Sequence, residues 1–308
     1  MAIMEIINSL CMIFIMIIPG IIFRKKGLID TNQSKGISTV VVNLTWPCLV
    51  IDAMQVKFSQ EIFKRSQYIF VVVLLVFAIA FVVGFLLVKM LKIKREQGGI
   101  FAFMLVFANT GFMGIPVINA LYGKEAVFYA SIIEMVNDIM LFTVGIMLIQ
   151  LSAGIKTKIS FKEFLTPGMI GVIIGYVMFL CNFQLPGFLG HSVNIIGAAT
   201  TPLTMFVIGI QIGELKFKEL LGNGSIYVMS FVKLLIIPII ALLIMRFIFD
   251  DTSLLAKVLI ISFAMPVAAC TTIFSQQYNA DVGFATKGVL LSTVISVATI
   301  PIFAMILR

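Results

Sequence analysis

Apolar runs of about twenty residues follow one another along nearly the whole chain, and this pattern restricts the fold more than any single motif does. A helix needs roughly 20 apolar residues to cross the hydrocarbon of a bilayer. The runs place helices at about 3–23, 36–55, 68–90, 99–122, 125–152, 165–183, 192–213, 225–249, 254–278 and 284–307. With 61% hydrophobic and 12% charged residues and a mean hydropathy of +1.14, the chain reads as an all-α polytopic membrane protein of ten transmembrane helices. No basic stretch precedes the first run, and Arg24, Lys25 and Lys26 follow it, so it reads as a first transmembrane helix and not as a cleaved signal.

A net charge of +8 would suggest nucleic acid in a soluble protein. Here the charges fall in short loops between spans and report topology, so no nucleic-acid partner is expected. Loops after odd-numbered spans hold 14 Lys and Arg, among them Lys94, Lys156, Lys158, Lys162, Lys216 and Lys218. The opposite side holds 7, including Lys64 and Arg308, and Lys233 stands inside a span. Positive residues stay in the cytoplasm, so both termini are expected outside the cell membrane.

The two halves of the chain resemble each other. Pro47 in "NLTWPCLVIDAMQVKF" and Pro202 in "AATTPLTMFVIGIQIGELKF" share a Thr-x-Pro setting, and Tyr122 in "LYGKEAVFYA" matches Tyr278 in "QYNADVGFAT" at nearly the same offset. Five helices per repeat invert the second half in the membrane. The expected domains are residues 1–153 and 154–308, two inverted repeats in one membrane body, with the substrate site between them near the midplane.

Two spans are broken where oil should forbid it. "NTGFMGIP", from Asn109, puts an amide, two glycines and a proline inside the fourth span, and "AMPVAACTTIFSQQY" puts Pro266, Cys270 and Thr271 inside the ninth. Unpaired backbone groups in hydrocarbon cost several kcal/mol each, so irregular backbone survives there only inside protein or beside a wet cavity. A simple proline kink explains one interruption. Two in corresponding helices point to a transporter site, where half-helix N-termini offer positive dipole ends and unwound carbonyls offer acceptors. The candidate substrate-binding residues are Asn109, Thr110, Gly111, Gly114, Ile115 and Pro116 with Pro266, Val267, Cys270 and Thr271.

Ionisable groups inside spans mark pathways or pairs. Asp52 lies near the end of the second span, where a cap or a snorkelling role also fits. Glu134 and Asp138, four apart, share one face of the fifth span with Asn137 beside it, and Lys233 sits in the eighth. Two carboxylates so placed repel when both are charged, so the pair is expected to hold a proton or share a cation, unless Lys233 neutralises one of them. Glu134, Asn137, Asp138, Lys233 and Gln276 form the candidate coupling or ion pathway. The four cysteines and His191 show no metal spacing, and no cofactor is expected.

"NTGFMGIPV" followed by "LYG", then "TPLTMFVIGIQIG" and "MPVAACTTIFSQQY", resembles the auxin efflux carrier family of bacterial permeases, relatives of the plant PIN-FORMED auxin exporters. The resemblance covers the chain. It implies ten helices in a 5+5 inverted repeat with helices 4 and 9 crossing, a dimerising scaffold of helices 1, 2, 6 and 7, a mobile bundle of the rest, and export or exchange of small organic anions. Asn109, Gly114 and Pro116 match the first crossover and Pro266 the second. Cys270 stands where the family often has asparagine, and Tyr68 to Val88 lacks the charges of plant relatives, which argues against auxin itself. The expected function is secondary transport of a small mono- or dicarboxylate through a homodimer in the bilayer, with a coupling proton. Alternatives are a sodium-coupled symporter similar to the bile acid family, using Glu134 and Gln276, and a membrane sensor, which would need an output domain. Enzymatic activity is not expected.

Overall fold

The computed structural model of the protein describes residues 3–156, 165–214 and 224–307. Lys158, Lys162, Lys216, Lys218 and Arg308, counted above for topology, lie outside the described residues. The helices are α1 (Ile3–Lys25), α2 (Thr31–Ala53), α3 (Gln60–Met90), α4 (Arg95–Val106), α5 (Thr110–Tyr122) and α6 (Lys124–Ser152). They continue as α7 (Pro167–Leu180), α8 (Gly187–Gly213), α9 (Gly224–Ile248), α10 (Leu254–Phe263), α11 (Cys270–Gln277) and α12 (Val282–Ile306). Among the described residues six of these, α2, α3, α6, α8, α9 and α12, are long and apolar enough to cross a membrane. The fourth and ninth spans of the sequence reading are each two helices, α4 with α5 and α10 with α11.

Local chemistry sets several boundaries that hydropathy misplaces. α2 starts at Thr31, five residues before the apolar run, because Asp30 and Gln33 form a reciprocal capping box, 2.8 Å and 2.9 Å. α3 starts at Gln60 through a polar first turn with a Glu61–Arg65 pair at 2.9 Å. The π turns Val41–Thr45, Thr110–Gly114 and Val232–Ile236 each end two residues before a proline, Pro47, Pro116 and Pro238. Proline has no N–H and its ring crowds the carbonyl four residues back. A widened turn at that point absorbs both problems without ending the helix.

Packing relies on small residues, as expected where lipid removes the hydrophobic drive for helices to associate. α1 lies along α8 with backbone against backbone. A Cβ on Gly209 would fall on the Ile17 carbonyl and 3.0 Å from the Gly20 Cα. α2 packs on α7 and α8, where Cβ atoms on Gly171 and Gly197 would sit 3.0 Å and 2.8 Å from the Cα atoms of Pro47 and Leu49. The most enclosed elements are the half-helices α4 and α10. Every side chain from Ile100 to Phe107 is buried, as is Val258 to Phe263. Large apolar side chains such as Val71, Phe85 and Phe247 cover the exterior.

Candidate functional site

The broken helices meet each other. After Val106 the chain turns extended at Phe107, and the segment 107–109 crosses the segment 266–268 in antiparallel register. Asn109 N–H donates to the Pro266 carbonyl at 2.8 Å, and Ala268 N–H donates to the Phe107 carbonyl at 3.1 Å. Val267 N–H donates to Ser292 Oγ of α12 at 3.1 Å. These bonds pair backbone groups at the centre of the crossing inside protein, which is the condition for irregular chain at membrane depth. Gly114 keeps the crossing close, since its missing Cβ would lie 3.2 Å from Cγ of Met265 on the other strand.

α5 restarts beyond the crossing, and a carboxylate sits at its start. The hydroxyl of Thr110 and the backbone N–H of Gly111 donate to Glu134 of α6, and Asn137 Nδ2 donates to the same carboxylate at 3.4 Å. Gly111 is needed there, because a Cβ would meet both Glu134 and the Trp46 ring, 2.7 Å from its edge. Glu134 and Asp138 are buried, and both line a cavity of about 340 Å³ between the crossing and α2, α6 and α8. Of the sequence candidates, the cavity brings together Asn109, Thr110, Gly111, Glu134, Asn137, Asp138 and Cys270. Among the described residues no lysine, arginine or histidine lines it.

Gly114, Ile115, Pro116, Pro266, Val267 and Thr271 support the crossing from behind and do not line the cavity. Thr271 is turned back, its hydroxyl donating to the Ala268 carbonyl at 2.5 Å. Gln276 is exposed in the last turn of α11, away from the cavity. Lys233 is fully buried, yet it does not neutralise either acid. Its ammonium donates to the Val106 carbonyl at 3.1 Å, and no carboxylate among the described residues is within 4.0 Å of it. The Nζ donor at the C-terminal end of α4 meets one of the carbonyls left without a partner in that half-helix. Asp52 is a joint between helices, bound to Lys124 of α6 at 2.7 Å and to Asn194 of α8 at 2.9 Å.

Ser38, Trp46 and Thr166 also line the cavity and carry no signal in the sequence, since each is an ordinary residue until the fold places it. Gln211 lines it too.

A family model described as membrane transport protein matches residues 5–304, the auxin efflux carriers. The chain belongs to this family. The carrier is 23% identical over 307 residues to an uncharacterized transporter of Methanocaldococcus jannaschii, covering 96% of both chains. It is 20% identical over 313 residues to the uncharacterized transporter YfdV of Escherichia coli, covering 98% of both. With a putative malonate transporter of Rhizobium meliloti it shares 23% over 280 residues, 86% of this chain and 84% of the relative. The family and these relatives are transporters and not enzymes, and the carrier is a multi-pass membrane protein.

Proposed function

We propose that the carrier is a secondary transporter of a small organic anion, a mono- or dicarboxylate, working by alternating access at the crossover. The observation that supports this best is the convergence of two half-helix starts, those of α5 and α11, on one cavity. Such starts carry unpaired N–H groups and a positive dipole end, which suit an anion without a basic side chain. The name of the Rhizobium meliloti relative points to the same chemistry. In this reading the chain is a ten-helix 5+5 inverted repeat, with α1, α2, α7 and α8 as a dimerising scaffold and the remaining helices as the bundle that moves by an elevator motion. The glycine-mediated contacts among α1, α2, α7 and α8 support that division.

Ser38, Thr166 and Gln211 place the outer cavity near the loops counted as cytoplasmic, while the Asp52–Lys124 pair holds α2 to α6 at the other end. The cavity therefore reads as facing the cytoplasm. In a cysteine-free background, Lys94→Cys should be protected from an impermeant thiol reagent in whole cells, and Lys64→Cys should react. A cysteine at Lys158, outside the described residues, is expected to behave like Lys94. Labelling of Lys94→Cys from outside would reverse the orientation.

The substrate class is tested by thermal shift of purified carrier against mono- and dicarboxylates, malonate included. A ligand at a hundred times its Kd stabilises by about 2.7 kcal/mol. Stabilisation by organic cations and by no carboxylate would overturn the anion reading. Glu134 and Asp138, lining a cavity with no basic residue among the described ones, favour a cation as co-substrate. A proton fits the pair as it stands. The sodium alternative predicts sodium-dependent stabilisation by carboxylates, with Gln276 playing no part because it does not line the cavity.

A further inference from the structure

The start of α5 already holds an anion, and it is the protein's own. The first N–H groups of any helix lack partners within it and lie at its positive end. At α5 they meet the carboxylate of Glu134, which takes donors from Thr110 Oγ1, from the Gly111 backbone and, at 3.4 Å, from Asn137. All three donors are uncharged. One Glu134 oxygen occupies the space where Gly111 would carry a Cβ, and the Trp46 ring covers the other side. A second carboxylate has no room on the same donors and would face Glu134 and Asp138 at close range, with no basic residue among the described residues of the cavity to offset them.

We infer that Glu134 stands in for the transported carboxylate, holding the start of α5 until it is protonated and gives that place to the substrate. This rests on the carboxylate reading above. The exchange balances. One proton binds Glu134, the neutral acid leaves the Thr110 and Gly111 donors, and one substrate carboxylate takes them, so a monocarboxylate leaves the charge of the cavity unchanged and a dianion such as malonate adds one negative charge. The second repeat shows that a half-helix start does not need such an occupant in order to fold. The positions 155 and 156 beyond Glu134 are Val289 and Leu290, and at the start of α11 the Thr271 N–H donates instead to the Ala268 carbonyl at 3.0 Å. Among the described residues the titratable groups facing Glu134 are Asp138 of α6 and Cys270 of α11; those that α2, α5 and α8 contribute to the cavity carry none.

The chain has one tryptophan, Trp46, and it touches this spot, so its fluorescence reports on the exchange. Malonate and acetate titrations followed by Trp46 should give affinities that weaken with rising pH, approaching about tenfold per pH unit for one linked proton. Glu134→Gln keeps an acceptor for Thr110 and Gly111 but no titration, and should bind with no pH dependence. Wild-type carrier in weak buffer should take up about one proton for each carboxylate bound, a measurement that stands even if the variant does not fold. Binding whose pH dependence survives in Glu134→Gln, or disappears only in Asp138→Asn, would overturn the assignment, as would carboxylate binding without proton uptake. If no carboxylate binds, a Trp46 response to pH that vanishes in Glu134→Gln keeps Glu134 as the titrating plug and removes the carboxylate reading instead.

Discussion

Gly111→Val is expected to abolish uptake, by a factor of about a hundred or more, in a carrier that still purifies as folded protein. The first added carbon would enter the space shared by the Glu134 carboxylate and the Trp46 ring, with the ring edge 2.7 Å away. Glu134 is a flexible side chain and is able to withdraw, so the fold survives with a thermal midpoint lowered by a few degrees, as for an overpacked site costing about 1–3 kcal/mol. Function does not survive, because the same methyl groups then fill the position any carboxylate must take at the start of α5. Vesicle uptake measured beside gel filtration checks both halves of the expectation. Wild-type uptake by Gly111→Val would remove the α5 start from the transport path.

Gly209→Leu is expected to remove folded carrier altogether. Here the neighbours are backbone, the Ile17 carbonyl and the Gly20 Cα at 3.0 Å, and backbone in the middle of a helix has no rotamer to give. α1 and α8 would have to separate along their contact, at a cost above about 3 kcal/mol, which is a large share of a typical folding free energy. The yield of monodisperse protein in detergent and its thermal midpoint measure this. Gly36→Ala serves as the control, since no atom lies within 4 Å of the added Cβ and alanine favours the helix by about 1 kcal/mol. If Gly209→Leu is as stable as Gly36→Ala, α1 does not approach α8 as described.

What could be read from the sequence is what the bilayer makes expensive. Asp52, Glu134, Asp138 and Lys233 stand out among apolar neighbours, and all four are buried. The interruptions at Asn109 and Pro266 stand out for the same reason, and the chain leaves helical geometry at both. What could not be read depends on partners distant in sequence. Lys233 invites pairing with an acid because charge is visible in a sequence, whereas its actual partner, the Val106 carbonyl, is a backbone atom that every residue possesses. Trp46 and Thr166 became cavity walls only through packing of α2 and the α7 entrance against the crossing. The early start of α2 was within reach, since Asp30 and Gln33 have capping-box spacing, but hydropathy outweighed it.

The hydrogen bonds joining 107–109 to 266–268 also bear on how the carrier is made. Synthesis runs from the N-terminus, so the first interruption enters the membrane well before the residues that complete it exist. Until then the Asn109 N–H and the Phe107 carbonyl lack their partners in a medium that supplies none. The newborn first half must therefore keep that segment beside the insertion machinery or at a wet edge, and α5 settles at its final depth only when the second half arrives. Biogenesis of this carrier is therefore expected to end with a late closure of the crossing.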